Sequence, residues 1–343
     1  MTNESQPASA RHPPLRVLSV DGGGYLGLAT AAFLSAVERH FGTRTSDRFD
    51  LFCGTSTGAI IALALAAGKT ADEVVSLYEA LGRDVFWNPW RIVHILRKAR
   101  GLFAARYDNK VLALALEDAF GTTSLGDLHG RQKLALITAF NVSTGRPRLF
   151  KTDHSPRLTT DAAYLLRDVA LASAAAPTYL PLVALRSPSS GASELFCDGG
   201  VFANHPALLG YVEAISELRV PPEQVSVLSV STPRFSSAEH DASRSWFAQL
   251  GPINKLLLKR GVLLWGSKLA TIFIDASADA SHQTVARLAA VGRSRYVRIS
   301  MTAAAGLEMD LATPQTTNTL KLVGTTEANR NEVRDILAPF FVG

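Results

Sequence analysis

The pentapeptide Gly54-Thr55-Ser56-Thr57-Gly58 follows the apolar run FDLFC and precedes AIIALALAAG. A serine placed between glycines, where a strand turns into a helix, can present its hydroxyl on a sharp elbow. The glycines leave room for the tight backbone, and the helix start favours negative charge on the oxygen. Ser56 is therefore the candidate nucleophile. A second cluster, Asp21-Gly22-Gly23-Gly24-Tyr25-Leu26-Gly27, lies between the run LRVLSV and an amphipathic stretch. Lacking Cβ atoms, such a loop can turn several N–H groups toward one point beside a helix start, and so bind an anion. Gly22, Gly24 and Gly27 also satisfy G-x-G-x-x-G by letter. Asp21, however, would set a carboxylate beside a pyrophosphate, and Asp47 and Asp50 precede the next strand instead of ending it, so a dinucleotide site is disfavoured.

A serine needs a proton acceptor. The chain has eight histidines, and in the order serine, acid, histidine the third member could be His205, His240 or His282. The more specific candidate is Cys197-Asp198-Gly199-Gly200, where an acid ends the short run ELFC and glycines leave space around it. Asp198 can serve as the base of a Ser/Asp dyad if burial lifts its pKa from the ordinary ~3.9 toward working pH. Both arrangements stay open at this level. No HExxH or EF-hand spacing occurs, so no metal and no other cofactor is expected, and hydrolysis is expected to be independent of calcium.

These residues must be held by a scaffold. Strand-like runs at Leu15–Val20, Phe49–Cys53, Leu134–Phe140, Leu195–Asp198, Val225–Ser231 and Tyr296–Ser300 alternate with helical stretches. The helices are expected at Leu26–Phe41, Thr57–Ala67, Ala71–Leu81, Lys110–Phe120, Asp161–Ala174, Pro206–Leu218, Ile253–Ile274 and Glu327–Phe340. Thr70 with Glu73 forms a capping box at the start of the third. The alternation predicts a three-layer α/β fold with a mostly parallel central sheet flanked by helices, and ligands at the carboxyl ends of its strands. Residues 1–14 read as a flexible leader, 15–325 as one domain and 326–343 as a C-terminal helix packed on it.

With these motifs in place the chain resembles the patatin-like phospholipases, from Arg16 to about Gly324. The glycine loop appears as DGGGYLG, the elbow as GTSTG, the acid motif as DGGVFANHP, and a further signature as ASAAAPTYLPL from Ala172 to Leu182. The resemblance implies a lipid acyl hydrolase with Ser56 as nucleophile, Asp198 as base and the backbone of Gly22, Gly23 and Gly24 as the oxyanion hole. Leu26 stands where the family often has Lys or Arg, and His205 where Asn is usual. Ser173 is assigned support of the site, not chemistry. Within the family the chain is similar to bacterial phospholipase effectors of anti-phage systems, on its length and on the run RLFKTDHSPRLTTDAAYLLRDVALASAAAP. That likeness implies a cyclic dinucleotide activator, an attack on the cell's own phospholipid, and an assembly state on activation that stays open. A cluster of Lys151, His154 and Arg157 is a candidate contact for phosphate.

Composition agrees with an anionic partner. The 343 residues are 47% hydrophobic and 19% charged with a net charge of +5, which excludes a disordered polymer. Between Gly82 and Tyr107 six basic side chains stand against one acid, interleaved with aromatic and aliphatic residues. Trp87, Trp90, Arg91, Arg97 and Lys98 are the candidate contacts to a phospholipid membrane surface, since rings enter the headgroup boundary while cations stay with phosphates. Lys255 and Lys259 share a face of a second such stretch, Ile253–Ile274, which reads instead as an ordinary helix over the sheet. DNA or RNA is not an expected partner. Only Cys53 and Cys197 are present, too few for a disulfide framework, and the leader lacks the apolar block of a signal peptide. The expectation is a cytoplasmic protein, peripheral at the inner membrane when active.

Overall fold

The computed structural model describes residues 14–86, 107–235, 262–303, 307 and 309–342. Strand β1 (Leu15–Val20) leads through a short 3-10 turn at Gly24–Leu26 into α1 (Gly27–Phe41). A single helical turn, α2 (Thr45–Arg48), precedes β2 (Leu51–Thr55), α3 (Thr57–Ala66) and α4 (Ala71–Leu81). Next come α5 (Lys110–Phe120), α6 (Leu125–Gly130), the hairpin of β3 (Leu134–Asn141) with β4 (Arg146–Lys151), and α7 (Leu166–Ala174). β5 (Val183–Arg186) and β6 (Ser193–Asp198) lead to α8 (Gly200–Ala203), α9 (Ala207–Ser216) and β7 (Val225–Val230). The chain ends with β8 (Arg234–Phe235), α10 (Val262–Gly292), β9 (Arg295–Ile299), β10 (Thr302–Ala303), α11 (Pro314–Ala328) and α12 (Asn331–Phe341).

Eight strands form one sheet in the order β5-β6-β3-β2-β1-β7-β9, with β4 also on β3. Five of them, β3, β2, β1, β7 and β9, run parallel, and the β4, β5 and β6 pairings are antiparallel. Continuous apolar runs such as those of β1 and β2 are what a parallel strand covered on both faces requires. Helix α3 is buried along its whole length, which is why its sequence is apolar on every side. The Thr70–Glu73 box closes as expected: Thr70 N–H donates to Glu73 Oε2 at 2.7 Å and Glu73 N–H donates to Thr70 Oγ1 at 3.2 Å.

The registers explain how the site forms. Along β3, residues Leu134–Thr138 pair with Leu51–Thr55 of β2, and Ala139–Asn141 pair in the opposite sense with Phe196–Asp198 of β6. Since β4 holds β3 from Leu136 to Asn141, β2 and β6 must share the other edge of β3. They approach each other head to head, and their last residues, Thr55 and Asp198, face the neighbours Thr138 and Ala139.

The structure departs from the expected elements in several places, and the helix expected from Asp161 begins at Leu166. The strands β4 and β5 carry no clear strand signal in the sequence: RPRLFK holds a proline and three basic residues, and VALR is only four residues long. The C-terminal helix expected at Glu327–Phe340 begins at Asn331, and a further helix, Pro314–Ala328, precedes it where none was expected. Thr313 caps that further helix by accepting from Thr316 N–H at 3.1 Å, and Phe340 and Phe341 of the last one are buried against Phe49. The helix expected from Ile253 begins, among the described residues, at Val262 and continues to Gly292.

Candidate active site

Ser56 occupies the turn between β2 and α3 at φ 55°, ψ −133°, a left-handed conformation that a side-chain-bearing residue adopts only under constraint. Gly54 and Gly58 make that turn possible. A methyl on Gly58 would meet the carbonyl oxygen of Val20 at 2.5 Å, so the first turn of α3 packs directly on the end of β1. The Ser56 N–H donates to Ser173 Oγ at 2.9 Å.

The Ser56 hydroxyl donates to Asp198 Oδ2 at 2.5 Å. The other carboxylate oxygen accepts from Gly200 N–H at 2.6 Å, and the Asp198 N–H donates to the Ala175 carbonyl at 3.0 Å. Asp198 is 4% exposed. Burial pushes its pKa up to about 6 against the opposing hydrogen bonds from Ser56 and Gly200. The carboxylate can therefore accept a proton near neutrality and yet is ionised at working pH. The small residues of Ala172–Ala175 connect both halves, since Ser173 receives the serine N–H while the Ala175 carbonyl receives that of Asp198.

The glycine loop arrives at the same point. A methyl on Gly22 would overlap Asn204 Oδ1 and stand 2.8 Å from Ser56 Cβ, so only glycine allows this approach. The three N–H groups are not equivalent. That of Gly22 donates to the Asn204 carbonyl at 3.3 Å, whereas those of Gly23 and Gly24 have no acceptor among the described residues. Thr57 Oγ1 donates to the Gly24 carbonyl at 3.0 Å, tying the loop to the elbow. Unpaired donors beside a nucleophile are the arrangement that stabilises a developing oxyanion, and Gly23 and Gly24, but not Gly22, have that freedom. Leu26 is buried in the core and brings no charge to the site.

No described histidine is bonded to Ser56 or Asp198. His205 is buried with Nδ1 3.0 Å from Asp21 Oδ1 and Nε2 3.2 Å from the Tyr296 hydroxyl. His282 Nδ1 lies 2.7 Å from that same hydroxyl. Both rings are engaged on the far side of the loop, and His240 lies outside the described residues, as do Trp87, Trp90, Arg91, Arg97 and Lys98. The phosphate cluster is occupied. Lys151 Nζ donates to Glu213 Oε2 at 2.6 Å, His154 Nε2 lies 2.8 Å from Glu213 Oε1, and Arg157 pairs with Glu217 at 3.3 Å. These three side chains fasten the end of β4 and the chain after it to α9 and its C-cap residue Glu217, a long-range pairing that leaves no mark in the local sequence.

Among the described residues no group of three or more acidic, histidine or cysteine side chains could hold a metal ion, and no helix is long and apolar enough to cross a membrane. Fold and site together define a class: an α/β protein with a serine on a strand-to-helix elbow and a carboxylate against its hydroxyl. The chain belongs to the patatin-like phospholipase family, whose model matches residues 18–210. It is similar to proteins named cGAMP-activated phospholipase. The one from Escherichia coli is 35% identical over 66% of this chain and 65% of its own length. That from Pseudomonas aeruginosa is 38% identical over 64% and 63%, and that from Vibrio cholerae 36% identical over 64% and 64%. The match thus spans just under two thirds of each of these relatives.

Proposed function

We propose that the protein is a phospholipase that hydrolyses membrane phospholipid esters through an acyl-enzyme on Ser56, with Asp198 as its side-chain base. The observation that carries this reading is the 2.5 Å contact from the Ser56 hydroxyl to Asp198 Oδ2, buried and against the glycine loop, whose Gly23 and Gly24 N–H groups have no acceptor among the described residues. Ser56 Oγ attacks the ester carbon as its proton passes to Asp198 Oδ2. The two glycine N–H groups receive the negative charge that builds on the carbonyl oxygen. Collapse of the tetrahedral intermediate expels the lysolipid alkoxide, which takes the proton back from Asp198. In the second half Asp198 removes a proton from water, the hydroxide attacks the acyl-enzyme, and the fatty acid leaves as Ser56 recovers its proton.

Activation belongs to the same proposal. The relatives' names support a cyclic dinucleotide as activator, and the likeness to anti-phage effectors supports the cell's own inner leaflet as target, reached by a peripheral enzyme. The test is fatty-acid release from phosphatidylethanolamine and phosphatidylglycerol vesicles, with and without a panel of cyclic dinucleotides, for the wild type, Ser56→Ala and Asp198→Asn. Release that needs one panel member and vanishes in both variants is the expected result. Full release without any of them would leave a constitutive lipase. Turnover of short soluble esters alone would leave a carboxylesterase.

A further inference from the structure

Asp21 opens the glycine loop, and its carboxylate is gripped by side chains from outside that loop. Arg298 of β9 donates through Nη2 to Asp21 Oδ2 at 2.5 Å and through Nη1 to Oδ1 at 3.2 Å. His205 Nδ1 lies 3.0 Å from Oδ1 and 2.8 Å from Arg298 Nη1, so it joins both members of the ion pair. The strand registers explain the reach. Ser19 pairs with Ser229 and Ser229 with Arg298, so the three form one row across β1, β7 and β9. Asp21 stands two residues beyond Ser19, where the two-residue period of a strand returns a side chain to the same face. The guanidinium crosses over Ser229, whose Oγ accepts from Nη1 at 2.6 Å.

The grip is buried: the side chains of Asp21, His205 and Arg298 are 2%, 0% and 8% exposed. An apolar trio of similar volume would hold a fold at least as well, because charges taken from water lose hydration that their attraction barely restores. Their position supplies another use. Gly22 follows Asp21 and Asn204 precedes His205, so the Asp21–His205 contact and the bond from Gly22 N–H to the Asn204 carbonyl are adjacent rungs between the loop and the segment after Asp198. Thr232 Oγ1 donates to the Gly22 carbonyl at 3.0 Å from the opposite side. The two peptide groups that flank the Gly22 Cα are thereby each held, and the second of them carries the Gly23 N–H, so their orientation sets where the next two N–H groups point.

We propose that Arg298, acting with His205 on Asp21, is a positioning residue for the oxyanion loop, holding the Gly22 peptide so that the N–H groups of Gly23 and Gly24 face the carbon attacked by Ser56. The inference rests on the Ser56–Asp198 reading; Asp21 and His205 lie within the stretch matched by the family model, and Arg298 lies beyond it. Charge state suits the task. Burial alone would push the Asp21 carboxyl up, but the Arg298 guanidinium and His205 outweigh it and hold it well below the usual carboxylate range. The acceptor stays ionised wherever the enzyme works.

The test compares Arg298→Gln, Arg298→Lys and the double variant Asp21→Asn/Arg298→Gln, the last stranding no charge in the interior. Sites are counted by fluorophosphonate titration to completion, and kcat and KM are measured on a soluble p-nitrophenyl ester. In the Gln and double variants kcat per titrated site is expected to fall about 10- to 100-fold, with KM within about twofold, and Lys is expected to restore part of the loss. A purely structural role would reduce the number of titratable sites and leave kcat per site at the wild-type value. That outcome in Arg298→Gln, or in the double variant should the single one not fold, overturns the proposal. Ser56→Ala run alongside separates the two failures: if it still turns over ester, the site reading falls, and if it is dead while the Arg298 variants keep full kcat per site, only this inference does.

Discussion

Thr55 and Asp198 end two strands that meet head to head along one edge of β3, facing the consecutive residues Thr138 and Ala139. Thr138 Oγ1 donates to Thr55 Oγ1 at 2.8 Å, and Thr55 Oγ1 in turn donates to the Ala203 carbonyl at 2.6 Å, so the junction is bonded across as well as paired. The residue after Thr55 is Ser56. Two chain segments 142 positions apart thus deliver a hydroxyl and a carboxylate to one point, because both strands are terminated by the same few residues of a third.

Ser56→Ala is expected to abolish fluorophosphonate labelling and lower turnover by at least ~10³-fold, as loss of a nucleophile does. Ser56→Gly should be equally inactive yet more stable, since glycine relieves the positive φ, a strain on the order of 1 kcal/mol or more. Mass spectrometry of the labelled peptide and thermal denaturation check the two halves.

The pH profile follows from Asp198. Only its ionised form accepts the serine proton, so kcat/KM should rise with pH through about 6 and level off above. A profile flat from pH 5 to 8 would remove Asp198 as base.

The same burial predicts a stability effect. The folded-state pKa of about 6 lies above the unfolded value of 3.8, so the penalty of ionising Asp198 is absent below pH 4, grows as pH rises and is complete above about 6. Asp198→Asn should therefore be inactive but more stable at pH 7, on the order of 3 kcal/mol at most, with the gain vanishing near pH 4. Denaturant unfolding at the two pH values measures it.

Ser173→Ala leaves the buried Ser56 N–H without its acceptor, at a cost of about 1–3 kcal/mol. Because that bond orients the elbow, kcat is expected to fall about tenfold with little change in KM. Steady-state kinetics on a soluble ester decides.

His282→Ala should retain most of the wild-type turnover, since its ring is bonded to Tyr296 and not to the dyad. A loss as complete as that of Ser56→Ala, at unchanged folding by circular dichroism, would restore a histidine to the mechanism.

What could be read from the chain alone was local. The run LRVLSV, the elbow GTSTG, the Thr70–Glu73 box and the helix Ala71–Leu81 each carry their signal within a few neighbouring residues, because turn geometry, capping and periodicity act over that range. Asp198 was legible as a candidate base through its flanking glycines. Tertiary structure decided what each residue meets. His205, a plausible triad member by order, is taken by Asp21 and Tyr296; Gly22, grouped with its two neighbours, gives its N–H to Asn204; and Ser173, assigned to support by its motif, has its partner, the nucleophile's N–H, only in the fold. These outcomes depend on the registers of β3 with β2 and β6 and of β1 with β7 and β9, and a register joins residues whose separation along the chain leaves no local mark on either partner.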